Sequence, residues 1–123
     1  MSGALDPRSV VEAFIQAIEQ RDFERARGYL SRDRFRYVGP TRTFENREDF
    51  IANLALLEPI LEKVVRRRFF TDGEEVCLIA TYVTSLEELR NVRTAQWMKV
   101  EGGVITSIEL FFDAHAYTKM FEV

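Results

Sequence analysis

The sequence predicts an α+β fold: three amphipathic helices in the first half of the chain, followed by a bent, mostly antiparallel sheet that covers them. Three observations predict it. Asp6-Pro7 opens an apolar stripe at helical spacing, Val10, Val11, Phe14, Ile15 and Ile18. The phrase Arg21-Asp22-Phe23-Glu24-Arg25-Ala26 joins that helix to a second one. Beyond residue 60 the chain runs through segments rich in β-branched and aromatic residues, punctuated by Asp72-Gly73 and Gly102-Gly103.

Each helix has its own start signal. Asp6 can accept hydrogen bonds from the unpaired N–H groups of a first turn, and Pro7 loses nothing at the first helical position. Asp22 restarts the chain with Phe23, Ala26, Tyr29 and Leu30 inward and Arg25 and Arg27 toward solvent, in a helix that Gly28 weakens slightly. Asn46, with Asp49 three residues later, marks a third start; Phe50, Ile51, Leu54 and Leu57 form its buried face and Pro59 ends it.

The strands follow from alternation and turns. Phe35 and Tyr37 alternate with Arg34 and Arg36 before a Gly39-Pro40 break, and further strands are expected near residues 62–71, 75–84, 91–101 and 104–113. A two-residue turn at Asp72-Gly73 opposes Thr71 to Glu74. It pairs Phe69 with Val76, Arg67 with Leu78 and Val65 with Ala80, on one face that Tyr82 continues. A two-residue turn at Gly102-Gly103 pairs Val100 with Ile105 and Trp97 with Ile108, so that Trp97, Ile108, Leu110 and Phe112 share a face. A three-residue turn there substitutes Gln96 for Trp97, because a slip of one residue inverts every side chain.

Composition excludes several classes. A chain of 123 residues is expected to form one domain, residues 1–123, large enough for a core without metal or disulfide staples. It is 46% hydrophobic and 30% charged, with no apolar run near the roughly 20 residues that a membrane span needs. Met1-Ser2-Gly3-Ala4 lacks the basic start and apolar run of a secretory signal, and the single Cys77 has no internal partner, so cytoplasmic residence is expected. A net charge of −3 and a pI near 5.3 argue against binding nucleic acid through its phosphates. Arg66-Arg67-Arg68 does not form one basic patch, since successive strand residues point to opposite faces.

The Asp22-centred helix junction, the Gly39-Pro40 bend and the final Phe112-Asp113, in this order of elements, resemble the nuclear-transport-factor-2-like, SnoaL-like superfamily of cystatin-like fold. The resemblance runs from Asp6 to about Tyr117. It implies a cone-shaped sheet wrapped around the three helices with a pocket between them. Members include polyketide cyclases, steroid isomerases, limonene epoxide hydrolases and many domains without known activity, so the resemblance specifies fold rather than chemistry. Steroid-isomerase-like members use a carboxylate base near the Gly-Pro bend and a tyrosine in the first helix; the nearest residues here are Val38 or Gly39, and Phe14, which transfer no proton. Epoxide-hydrolase-like members need an Arg between two carboxylates, where this chain has Ala80, Tyr82 and Leu110. Cyclase-like members often carry His or Asp inward on the last strand, where Ile108 and Leu110 stand.

The reading for function is therefore a small hydrophobic or aromatic ligand in that pocket, contacted by Phe14, Tyr37, Arg67, Tyr82, Trp97 and Leu110, with Arg67 as its strong cation. Core packing is the plainer role for Tyr37, Tyr82 and Trp97. The alternative is a cyclase-like or isomerase-like enzyme using Tyr82, Arg67, or Asp113 with His115; a protein-interaction module is a second alternative. Asp113 before Ala114-His115-Ala116-Tyr117 reads first as the N-cap of a short helix and otherwise as an acid at the pocket mouth. His115, the one histidine, makes no zinc site by itself, and no metal or other cofactor is expected. Cys77 has no basic neighbour and reads as a structural thiol. A homodimer is expected through the outer sheet face, where the hairpin count places Phe70, Ile79, Val83, Met98 and Phe111, with Thr94 and Gln96 among them.

Overall fold

The computed structural model describes residues 6–87 and 90–115; Met1–Ala4, Ala116 and Tyr117, to which expectations were attached, lie outside them. Helix α1 spans Pro7–Glu19 and α2 spans Phe23–Gly28; after the short strands β1, Arg36–Val38, and β2, Thr43–Phe44, helix α3 runs over Arg47–Ala55. Four longer strands complete the described chain: β3 Leu61–Asp72, β4 Glu75–Thr84, β5 Asn91–Glu101 and β6 Val104–Phe112. They form one open six-stranded sheet in the order β2-β1-β6-β5-β4-β3. Every pairing is antiparallel except that of β1 with β6.

All three helix starts are built as the sequence predicts. Asp6 accepts from Ser9 N–H at 3.3 Å, Asp22 from Arg25 N–H at 3.1 Å and Asn46 from Asp49 N–H at 2.8 Å. The α1 stripe of Val10, Val11, Phe14, Ile15 and Ile18 is buried against the sheet. Helix α2 ends at Gly28, earlier than its apolar pattern implied, although Ala26 and Leu30 are both buried. Between α1 and α2, Arg21 takes a left-handed conformation with φ 57°, a region that a side chain makes unfavourable. Its guanidinium compensates by donating to the carbonyls of Glu19 and Leu61, which ties the helix junction to the start of β3.

Strand β2 has no counterpart in the sequence prediction, because two residues are too few to display alternation. It forms because the chain reverses at Gly39-Pro40, where Gly39 N–H donates to Arg42 carbonyl at 2.8 Å and Tyr37 comes to face Phe44. Tyr37 stacks on Phe50 of α3 with ring centroids 4.6 Å apart, and Phe35 and Phe44 pack on the same ring, closing this edge of the core.

The long strands lie where the sequence puts them, but their registers differ, and the difference decides which side chains face the helices. In the first hairpin Asp72 pairs with Glu75 and Phe69 with Leu78, so the turn is Gly73-Glu74. A β-bulge at Arg67 then lets Arg68 pair with Ile79 while Arg66 pairs with Ala80. From the bulge toward the strand start the faces invert: Val64 is buried and Val65 exposed, and Arg66 replaces Arg67 on the helix side. In the last hairpin the two-residue turn is correct and Val100 pairs with Ile105, but a second bulge, at Thr106, makes Met98 the partner of Ile108 and Gln96 the partner of Leu110. Trp97 faces outward, since it alternates with the inward Gln96 and Met98 on an unbroken β5. Met98, Gln96 and Thr94, expected on the outer face, are buried on the inner one.

A Cβ at Gly39 would lie 2.5 Å from the Tyr37 hydroxyl oxygen, and Tyr37 is held by its stack on Phe50. Gly39→Ala is expected to cost about 1–3 kcal/mol, as overpacking does, read as a lower urea midpoint at unchanged slope. Gly28→Ala, with open space around the added Cβ, is the matched control and is expected to leave the midpoint in place or raise it.

Candidate functional site

Three strands present a mixed surface to the helices. On β4, Val76, Leu78 and Ala80 are buried and lead to Tyr82; on β5, Met98 leads to Gln96 and Thr94; on β6, Ile108 leads to Leu110 and Phe112. The far members of these rows, Tyr82, Leu110 and Phe112, are only partly buried, so the accessible side chains of the inner face lie at this end. Its polar centre is a side-chain pair: Gln96, 4% exposed, donates through Nε2 to the Tyr82 hydroxyl at 2.7 Å. Thr94 donates to the Ala80 carbonyl at 3.0 Å and is satisfied within the sheet.

Among the described residues, the phenolic proton of Tyr82 and the amide oxygen of Gln96 have no further partner. A phenol and a primary amide joined by one hydrogen bond always keep a donor and an acceptor in hand, whichever way round the amide sits. Burial pushes the Tyr82 phenol up from 10.0 to about 12; the hydrogen bond from Gln96 opposes this and the charge of Glu19 adds to it. Tyr82 is therefore a neutral hydrogen-bonding group at every physiological pH. Glu19, in the last turn of α1, pairs with Arg66 of β3 at 2.6 Å, which sets an ion pair beside the neutral one.

The structure does not gather the expected ligand contacts into one site. Tyr82 and Leu110 are on the inner face together. Phe14 is wholly buried in the core and Tyr37 belongs to the aromatic cluster around Phe50. Trp97 is 49% exposed on the outer face, where its indole N–H donates to Glu75 at 2.8 Å. Arg67, expected beside Tyr82 and Tyr37, is exposed at its bulge. It lines an open groove of about 820 Å³ on the outer face together with Arg93, Phe111, Asp113 and His115. The sheet thus stands between Tyr82 and the Asp113–His115 pair, which cannot act on one substrate atom with it. Asp113 accepts the backbone N–H of His115 at 3.0 Å, the hydrogen bond that its N-cap reading requires.

Sequence reasoning missed Glu19, Arg66 and Gln96. Glu19 had a usable signal, since it lies four residues after Ile15 and so one helical turn along the buried stripe. Gln96 was present as the alternative register of the last hairpin. Arg66 carried no signal apart from the bulge itself. Cys77 is partly buried, which raises its thiol pKa and keeps it protonated. Among the described residues no cluster of His, Cys, Asp or Glu is arranged to hold a metal ion, and no helix is long and apolar enough to cross a membrane.

No protein-family model and no curated protein matches the chain. Solved structures do. An NTF2-like protein of unknown function from Cytophaga hutchinsonii is similar to it with a TM-score of 0.81 and 25% identity, over 99% of this chain and 100% of that one. The fold is NTF2-like. A second NTF2-like protein of unknown function, from Burkholderia pseudomallei, has a TM-score of 0.81 at 18% identity over the full length of both chains. An LEH-like epoxide hydrolase from M. tuberculosis has a TM-score of 0.75 at 23% identity, covering 94% of this chain and 86% of its own. In this NTF2-like chain the inner-face positions named above hold Ala80, Tyr82, Gln96, Ile108 and Leu110, with Glu109 turned outward opposite Trp97.

A group whose folded-state pKa is raised above its unfolded value stabilises the fold below the unfolded value and loses that contribution as pH rises through the folded one. For Tyr82 the window runs from 10.0 to about 12. The wild type is expected to show a phenolate absorbance step near its upper edge that Tyr82→Phe lacks. The variant's stability should also fall less steeply with pH across the window, as read by urea titration at successive pH values.

Proposed function

We propose that this chain is a binding protein for a small, largely apolar molecule that carries one neutral polar group, a hydroxyl or a carbonyl, and that Tyr82 and Gln96 hold that group on the inner face of the sheet. The observation that carries this reading is the Tyr82–Gln96 hydrogen bond, buried among aliphatic side chains with a donor and an acceptor to spare. No buried side-chain polar atom among the described residues lacks a partner, so the spare donor and acceptor are groups that a guest can reach rather than sealed ones. Leu110 and Phe112 supply apolar wall on the adjoining strand, and the Glu19–Arg66 pair borders the site. A neutral phenol and an amide orient a ligand but supply neither a base nor a strong acid near pH 7, which favours binding over turnover.

The test is a thermal-shift and calorimetric screen of aromatic and terpenoid alcohols and ketones. A ligand at 100 times its Kd should stabilise the fold by about 2.7 kcal/mol. Tyr82→Phe combined with Gln96→Leu is expected to weaken a hit about tenfold or more, through loss of two hydrogen bonds at roughly 1 kcal/mol each. Steroid-isomerase and epoxide-hydrolase assays should stay at background. Turnover that depends on Tyr82 or Glu19 would replace this reading with an enzymatic one.

We also propose that two copies pair through the outer sheet face at its β3–β4 hairpin end. One cross-strand row there, Phe70, Cys77 and Trp97, leaves Phe70 51% and Trp97 49% exposed on either side of Cys77, and a single self-complementary patch is sufficient for two-fold symmetry. Phe70→Glu is expected to shift the sedimenting species toward monomer while thermal unfolding stays cooperative, since it would bury an unpaired charge in the interface. A wild-type chain that sediments as a monomer at tens of micromolar, roughly where weak interfaces still form, removes the pairing.

A further inference from the structure

We infer that the outer groove is a second ligand site, distinct from the inner face, for a flat apolar carboxylate. Two guanidiniums carry the inference. Arg67 is lifted from the β3 ladder by its bulge, and Arg93 of β5 points outward beside Thr94; both line the groove. Among the described residues neither guanidinium has an ion-pair or hydrogen-bond partner; those of Arg32, Arg42, Arg68 and Arg90 also have none, but of these six only Arg67 and Arg93 line the groove. Arg93 and Arg67 lie on strands separated only by β4, roughly 10 Å apart at the backbone, within reach of one carboxylate for two long side chains. Between them the floor is apolar: Ile79, Ala95 and Phe111 form one cross-strand row, with Phe111 50% exposed.

Among the described residues Asp113 is the one acid lining the groove; it keeps its charge while accepting from the His115 backbone N–H, and the two guanidiniums outnumber it. A volume of about 820 Å³ accommodates a bicyclic ring. Guanidiniums recognise carboxylates through planar paired hydrogen bonds, and an aromatic ring on Phe111 fills the space that a free anion would leave wet. On the inner face near Tyr82 the guanidinium at hand, Arg66, is already paired with Glu19, so the two sites select different chemistry.

The test uses the full chain with 2-naphthoate as probe and 2-naphthylmethanol as its neutral counterpart. Saturable amide shifts are expected at Ile79, Ala95 and Phe111 rather than at Tyr82 and Gln96. The alcohol should bind at least about tenfold more weakly, and Arg67→Gln with Arg93→Gln should weaken naphthoate by a similar factor, as loss of charge-assisted hydrogen bonds does. Raised salt should weaken naphthoate and not the alcohol. Equal affinities of both probes, read from the shifts at Ile79, Ala95 and Phe111, overturn the inference, as do naphthoate shifts centred on Tyr82 and Gln96. An Arg67, Arg93 double variant that keeps its naphthoate affinity but sediments as a smaller species also overturns it, because the arginines would then serve a second copy.

Discussion

A β-sheet has two faces, and one inserted residue in a strand exchanges them for everything beyond it. This sheet has such an insertion at Arg67 in β3 and at Thr106 in β6, and the allocation of side chains between core and solvent depends on both. Without the first, Val65 would enter the core and Val64 would leave it. Without the second, Ile108, Leu110 and Phe112 would leave the inner face, where they now lie beside Met98, Gln96 and Thr94. The Thr106 insertion is itself satisfied, since its buried hydroxyl donates to Glu101 at 2.8 Å and thereby lowers the Glu101 pKa.

The consequence is a sorting of polarity across the sheet. The buried polar side chains facing inward, Thr94 and Gln96 with their neighbour Tyr82, are neutral and hydrogen-bonded, and no buried side-chain polar atom among the described residues lacks a partner. Charges are concentrated at the rim or outside, where water screens them. Holding a neutral amide in an apolar layer is far less costly than holding an ion there, since each ion surrenders several kcal/mol of hydration. Glu19 and Arg66 meet this constraint by sitting at the edge of the layer, partly open to solvent and paired with each other.

Element types were legible in the sequence because their signals are local. Asp6, Asp22 and Asn46 each announce a helix through a hydrogen bond made within three residues, and all three bonds are present. The four long strands announce themselves through composition, and the antiparallel order through their turns. The candidate site was legible only in part. Tyr82 was placed on the correct face because it follows Val76, Leu78 and Ala80 on an unbroken strand. Arg67 and Trp97 were not, because a bulge has no fixed sequence signature and its effect is felt several residues away, in the packing of α1 against a strand it never pairs with. The pairing of a neutral amide with a phenol across two strands is equally non-local.

The parallel contact of β1 with β6 joins residues near the start of the chain to residues near its end: Arg36 lies beside Ser107, and Leu30 forms a bridge with Ile105. During synthesis the three helices emerge well before the surface that covers them. The stripe of Val10, Val11, Phe14, Ile15 and Ile18 then stays open to solvent or to other chains until β6 has left the ribosome. Loop-closure entropy must be overcome for that last pairing before its reward arrives, which makes the fold late to cooperate and slow relative to a helical bundle of equal size.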